Sequence, residues 1–228
     1  MPLVPMDATA DPAERAVNRP PRLEKGALLV YRDQTSTQPD QRIDFQFNPD
    51  TVRRSFAART VPPPPAQRTA GQADTLAVPG PPVETITIAI ILNAADQVED
   101  PSRRDELGQH GLNPMLARLE LLLYPSTASA EEIERQAQQG RVQVSPARTP
   151  LVMLAWGRTR TVPVQLTSFT VNEEAFDPNL NPINAKVDLG LKVLTYMEFP
   201  TQSAGREAFI AYQKERESLA RRPAGGPR

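Results

Sequence analysis

Glu173 and Glu174 are the residues whose type and spacing come nearest to chemistry. Two carboxylates flanking one bond can divide general acid and base work, as glycoside hydrolysis requires. Adjacent residues of an extended segment point to opposite faces, so this pair does not converge on a substrate. Both read as solvated or interface charge. His110 is the only histidine, which excludes histidine metal clusters and triads with a second supporting histidine. It lies in the polar run Asp105 to Gly111, where it reads as a solvated or cap-forming side chain. No Gly-x-Ser-x-Gly elbow frames a nucleophile. Gly205 and Gly225-Gly226 lack the strand and helix that would aim backbone amides at a phosphate. The chain has no cysteine, so disulfides, thiolate zinc sites and cysteine nucleophiles are out of reach. No catalytic residue, cofactor or metal is expected.

Charge narrows the partners. Twenty-six basic and 27 acidic residues leave a net charge of −1, with no bulk attraction toward nucleic acid or anionic membrane. Arg53-Arg54 and the set Arg158, Arg160 sit at strand ends without interleaved aromatics. They read as salt bridges at a protein interface or as solvated groups rather than a nucleic-acid surface. No run approaches the length of a membrane-spanning helix. The N-terminus shows no charged and apolar leader pattern, and a reducing cytoplasm is compatible with the cysteine-free composition.

The stretch around the glutamates is distinctive. Glu173 to Ile183 (EEAFDPNLNPI) joins two strand-like segments. Val162, Val164 and Leu166 share one face before it, and Val187, Leu189, Leu191 and Val193 alternate with polar residues after it. Pro178 and Pro182 fix φ there, while Asp177, Asn179 and Asn181 can bond local backbone. A connection so prescribed, carrying a bare Phe176, reads as a surface built to meet another protein.

Stepping along the chain, residues 1–24 are an arm rich in Pro, Ala, Arg and Asp. A first strand is expected at Ala27–Tyr31. A second follows at Arg42–Phe47 with Ile43, Phe45 and Phe47 facing in, and Val52–Ala57 is expected to pair back on it as a hairpin. Residues 60–82, with Pro62 to Pro65 and then Pro79, Pro81 and Pro82, form an extended loop. In Glu84–Leu92, the strongest strand pattern, Ile86, Ile88, Ile90 and Leu92 share a side. The period then becomes helical. Asn113-Pro114 reads as a cap and first turn, followed by Met115, Leu116, Leu119, Leu122 and Leu123. Ser129-Ala130-Glu131-Glu132 resembles a capping box for a second, polar helix ended by Gly140. Leu151–Gly157 is a buried strand with Trp156 at its end, as core or rim. A last helix spans about Arg206–Arg222 before a Pro-Gly tail. Six to eight strands and one apolar helix make a mainly β (α+β) fold, an antiparallel β-barrel or sandwich with one packed helix.

Read together, Lys25 to Val30, Phe45 to Val52, Pro82 to Ile86, Leu112 to Pro125, Pro150 to Gly157 and the Glu173 to Ile183 loop resemble the tube-type domain of phage-tail-like contractile injection systems. The resemblance spans residues 25 to about 198. It implies a baseplate protein that starts or adapts the inner tube above the spike, with a small β-barrel assembled as a homohexamer around a channel. Implied partners are the spike or hub protein, inner-tube proteins and other baseplate components. Many relatives carry a C-terminal LysM module, and this sequence instead ends in a helix and tail. Three units are therefore expected: the arm 1–24, the tube-type domain 25–200 with the 60–82 loop and a 112–140 helical insertion, and the C-terminal 201–228. Interface residues are expected at Glu173, Glu174, Phe176, Asp177, Pro178, Asn179 and Pro182, at Pro62 and Pro65 of the loop, and at Arg53 and Arg54. A main tube or cap subunit, a hydrolase using a glutamate, and a stand-alone glycan- or peptide-binding β-domain are the other readings.

Overall fold

A computed structural model describes residues 24–59, 78–97, 104–139, 148–157 and 159–223. The arm before Glu24, the loop from 60 to 77, Gly140, Arg158 and the tail beyond 223 lie outside the described residues. Seven strands form one antiparallel sheet: β1 (Ala27–Tyr31), β2 (Gln41–Asp44), β3 (Val52–Ala57), β4 (Val83–Asn93), β5 (Leu151–Trp156), β6 (Arg160–Phe176) and β7 (Pro182–Val193). Among the described residues five helices accompany them: α1 (Ala94–Gln97), α2 (Arg104–His110), α3 (Asn113–Glu120), α4 (Thr127–Gln138) and α5 (Ala204–Arg221). The fold is mainly β with a minority of helix.

The order β2-β1-β5-β6-β7-β4-β3 puts β2 and β3 on opposite edges, so the sheet is open rather than a closed barrel. The expected β2–β3 hairpin does not form: β2 pairs with β1, and β3 pairs with β4. The intervening reversal is diverted to other work. The Asn48 side chain accepts from the Gly26 amide (2.8 Å) and donates to the Glu24 carbonyl (2.9 Å). The Gln46 amide group bonds both the carbonyl and the N–H of Asn93, each at 2.8 Å. A flat sheet would hold β2 and β4 about 24 Å apart, five strand spacings. The sheet must therefore curl until one side chain spans the gap.

Alternation builds the inner face of that curl. In β4, Ile86, Ile88, Ile90 and Leu92 are all 2% exposed or less, each removing enough apolar surface to contribute about 1.5–3 kcal/mol. They face Leu191, Leu189, Val187 and Ala185 of β7 in register. In β6 the inward parity changes from Val162, Val164 and Leu166 to Phe169 and Val171. The ladder shift between Leu166 and Ser168 inserts Thr167 as the extra residue and turns the later side chains over. Opposite it, a side chain at Gly190 would collide with the Ser168 hydroxyl.

Leu112, Leu116, Leu119 and Leu122, in and beside α3, fill the curl. The cap differs from expectation: Leu112 is the N-cap, no side chain caps it, and Pro114 keeps its place in the first turn. Asn113 instead donates to the Asn181 side chain at 3.2 Å. The second helix begins earlier than the expected capping box, because Ser126 accepts from the Ser129 amide. Ile43 and Phe45 face in as expected, but Phe47 lies beyond the end of β2 and is 45% exposed. Trp156 is half-buried against Phe45. A smaller cluster of Tyr31, Leu151, Met153 and Phe199 occupies the other face of β1 and β5, beneath Ala204 and Ala208 of α5.

Candidate functional site

The β6–β7 ribbon is more regular than its prolines suggested. The ladder continues through Glu173↔Ala185, Glu174↔Asn184 and Phe176↔Pro182, so the connection shrinks to residues 177–181. The Leu180 amide bonds the Asp177 carbonyl at 3.0 Å, with Pro178 at the second turn position, where its fixed φ fits. Leu180 then adopts φ 62° and the Asp177 amide closes on the Asn181 carbonyl. Asp177 is the hub of the turn. Its Oδ1 accepts from the Asn179 and Asn181 amides at 2.8 Å each, and its Oδ2 accepts from the Asn181 side chain at 2.9 Å. The Asn181 side chain and then these amides hold the Asp177 carboxyl below its ordinary pKa.

The turn is braced from outside. Asn181 donates to the Gln109 carbonyl at 3.1 Å, and the Leu112 amide donates to the Pro182 carbonyl at 2.8 Å. Gly111 permits this approach. It has φ 54°, and a Cβ there would lie 2.5 Å from the Pro182 oxygen. The α2–α3 corner thus fixes the turn while its apolar side chains stay outside: Phe176 is 49% exposed, Leu180 79% and Ile183 38%.

Of the expected interface residues, Glu173, Glu174, Phe176, Pro178 and Asn179 are exposed, Asp177 is half-buried and Pro182 is buried at the strand start. Among the described residues neither Glu173 nor Glu174 has an ion-pair partner. Pro62 and Pro65 lie outside the described residues. Arg53 is exposed on β3, and Arg54 turns inward to an internal partner.

That partner, Glu84, went unremarked in the sequence although it shares the parity of Ile86, Ile88, Ile90 and Leu92. It is 3% exposed. Arg54 Nε and Nη2 reach its Oε1 at 2.7 and 2.6 Å, and Arg216 Nη2 reaches Oε2 at 3.1 Å. The Tyr212 hydroxyl donates to Oε1 at 3.3 Å and accepts from Arg54 at 2.7 Å. Both guanidiniums lie over the Phe56 ring, 5.0 and 5.1 Å from its centroid. Burial, then the Glu84 charge, raises the Tyr212 pKa, while both arginines oppose the shift. Every oxygen of this carboxylate is engaged and α5 covers it, so the cluster fastens α5 to β3 and β4 and presents nothing to a substrate. Near it, Arg59 bonds the Pro81 carbonyl at 2.8 Å and Glu198 at 2.6 Å.

Among the described residues no group of three or more His, Asp or Glu side chains could hold a metal ion, and no helix is long and apolar enough to cross a membrane. Residues 22–198 match the family described as contractile injection system tube protein. No curated protein matches the chain.

Proposed function

The chain belongs to the contractile injection system tube protein family, and on that premise we propose that it forms one hexameric ring joining the spike to the inner tube. The family assigns it a structural role in the particle. The finer reading is a non-enzymatic baseplate adaptor that nucleates tube assembly and contacts the spike or hub, the first tube ring and other baseplate components. It would assemble in the cytoplasm before the particle acts.

One observation carries this reading. The chain holds a turn rigid through Asp177 and the α2–α3 corner, yet leaves Phe176, Leu180 and Ile183 uncovered at its end. Monomeric proteins seldom leave such a group outside, and a preformed anchor costs little ordering on assembly. The absence of converging chemistry at Glu173 and Glu174 fits a subunit whose work is shape. The main tube or cap subunit is the second reading, favoured by the family's description. Phe176→Asp tests the shared core of both. The expected result is a chain that folds and melts like the parent but yields no assembled particles. Normal particles carrying Phe176→Asp would overturn the assignment of this turn.

A further inference from the structure

Helix α5 leaves a second uncovered surface, remote from the turn at 177–181. It is an open groove of about 350 Å³ in which Tyr196 and Ile210 supply the apolar surface and Arg206, Gln213, Lys214 and Glu217 the polar one. The aromatic part is preformed. The Arg206 guanidinium lies over the Tyr196 ring at 5.5 Å and donates to the Tyr196 carbonyl at 2.7 Å, and Phe209 meets the ring edge-on at 5.9 Å. A small ligand needs most of its surface enclosed, so a groove this open suits side chains protruding from another protein.

The turn at 177–181 has the opposite form. Phe176 and Leu180 stand uncovered on it, with Glu173, Glu174 and Asp177 beside them. The groove carries two cations against one acid, Arg206 and Lys214 against Glu217. Among the described residues neither Lys214 nor either of Glu173 and Glu174 has an ion-pair partner, so the turn and the groove present opposite unmatched charges. Strand β7 separates them: its 12 residues hold the turn and the segment leading to Tyr196 about 37 Å apart. The turn is pinned by Asp177 and the α2–α3 corner, so it cannot reach the groove of its own chain. A knob and a groove at opposite ends of one strand make a head-to-tail contact between copies, which closes into a ring when the rotation between copies closes. An aromatic anchor seated in a pocket with polar groups around it is also how the strongest interface contacts are built.

We propose that Phe176 and Leu180 of each copy seat in the α5 groove of the next copy in the ring, with Glu174 facing Lys214. The inference rests on the ring reading and names the partner of its exposed turn. The chain has no cysteine, which makes paired substitutions clean. In purified particles, Asn179→Cys with Gln213→Cys, oxidised by diamide, is expected to form disulfides between chains at least about tenfold faster than Asn179→Cys with Thr170→Cys. Thr170 is exposed on β6 and serves as the control. Non-reducing gels should then show a covalent ladder that ends at six chains. Glu174→Lys is expected to slow the cross-linking about tenfold, and Lys214→Glu in the same chain to restore it, a rescue that a misfolded variant does not show. Equal rates for the two pairs, or no rescue by Lys214→Glu, in particles that hold six copies in a ring would overturn the docking and leave the ring reading standing. A ladder running past six, or copies held in no ring, would overturn the ring reading and the docking with it.

Discussion

Removing Arg54 should cost far more than removing Arg216, although both hold the same carboxylate. In Arg54→Ala, Glu84 stays 3% exposed but loses its 2.6 and 2.7 Å contacts, keeping Arg216 at 3.1 Å and Tyr212 at 3.3 Å. Breaking a buried ion pair from one side costs about 3–5 kcal/mol. The remaining arginine offsets part of that, leaving about 3 kcal/mol, or a fall in Tm of about 6–12 °C for a domain of this size. Arg216 is 36% exposed and makes one bond to Glu84, so solvent screens it. Its loss, including contacts over Phe56 and Tyr212, should cost about 1 kcal/mol. Urea unfolding of both single variants and the double variant measures the two costs and their coupling, and hydrogen exchange in α5 should rise most in Arg54→Ala. Equal costs for the two variants, or less than about 1 kcal/mol for Arg54→Ala, would refute the claim that Glu84 is the fastening of α5.

Gly111→Ala should destabilise the domain by about 1–3 kcal/mol, because it combines a positive φ with a clash on the Pro182 carbonyl; hydrogen exchange at residues 177–183 should rise with it. Leu180→Asn should stabilise the folded chain by up to about 1 kcal/mol, since asparagine tolerates φ 62° better, while weakening assembly; thermal melting and particle yield measure the two effects. Acid should loosen the loops at Asp33 and Asp177. Four hydrogen bonds, led by those from Thr35, lower the Asp33 pKa to about 2, and Asp177 is also lowered. Because both folded values lie below the unfolded value near 4, their stabilisation is complete above about pH 5 and is lost as pH falls through the folded values, about 2 for Asp33. Carboxyl chemical shifts followed by NMR report each midpoint.

Much of this was readable from alternation. Ile86 to Leu92 and Val187 to Val193 declare their buried faces outright, and the helical spacing of Leu116, Leu119 and Leu122 marks the plug. What failed depends on distant partners. Glu84 occupies an inward position, but only the folded chain brings Arg54 and Arg216 to it, 30 and 132 residues away in sequence. The β2–β3 hairpin was a sound local reading that lost to Gln46 and Asn48, whose side chains bond Asn93 and Gly26. The turn at 177–181 was recognised as special, yet its prolines hid that the ladder runs on to Phe176 and Pro182. Gly111 gave no sign of its role, because its neighbour Pro182 is remote in sequence.

Counting copies of this chain in purified particles, by quantitative mass spectrometry against the spike protein, tests the central claim most directly. The account predicts a single hexameric ring per particle, retained on spike-containing fragments after the tube is stripped away. Copy numbers rising with tube length, or particles complete without the chain, would contradict it.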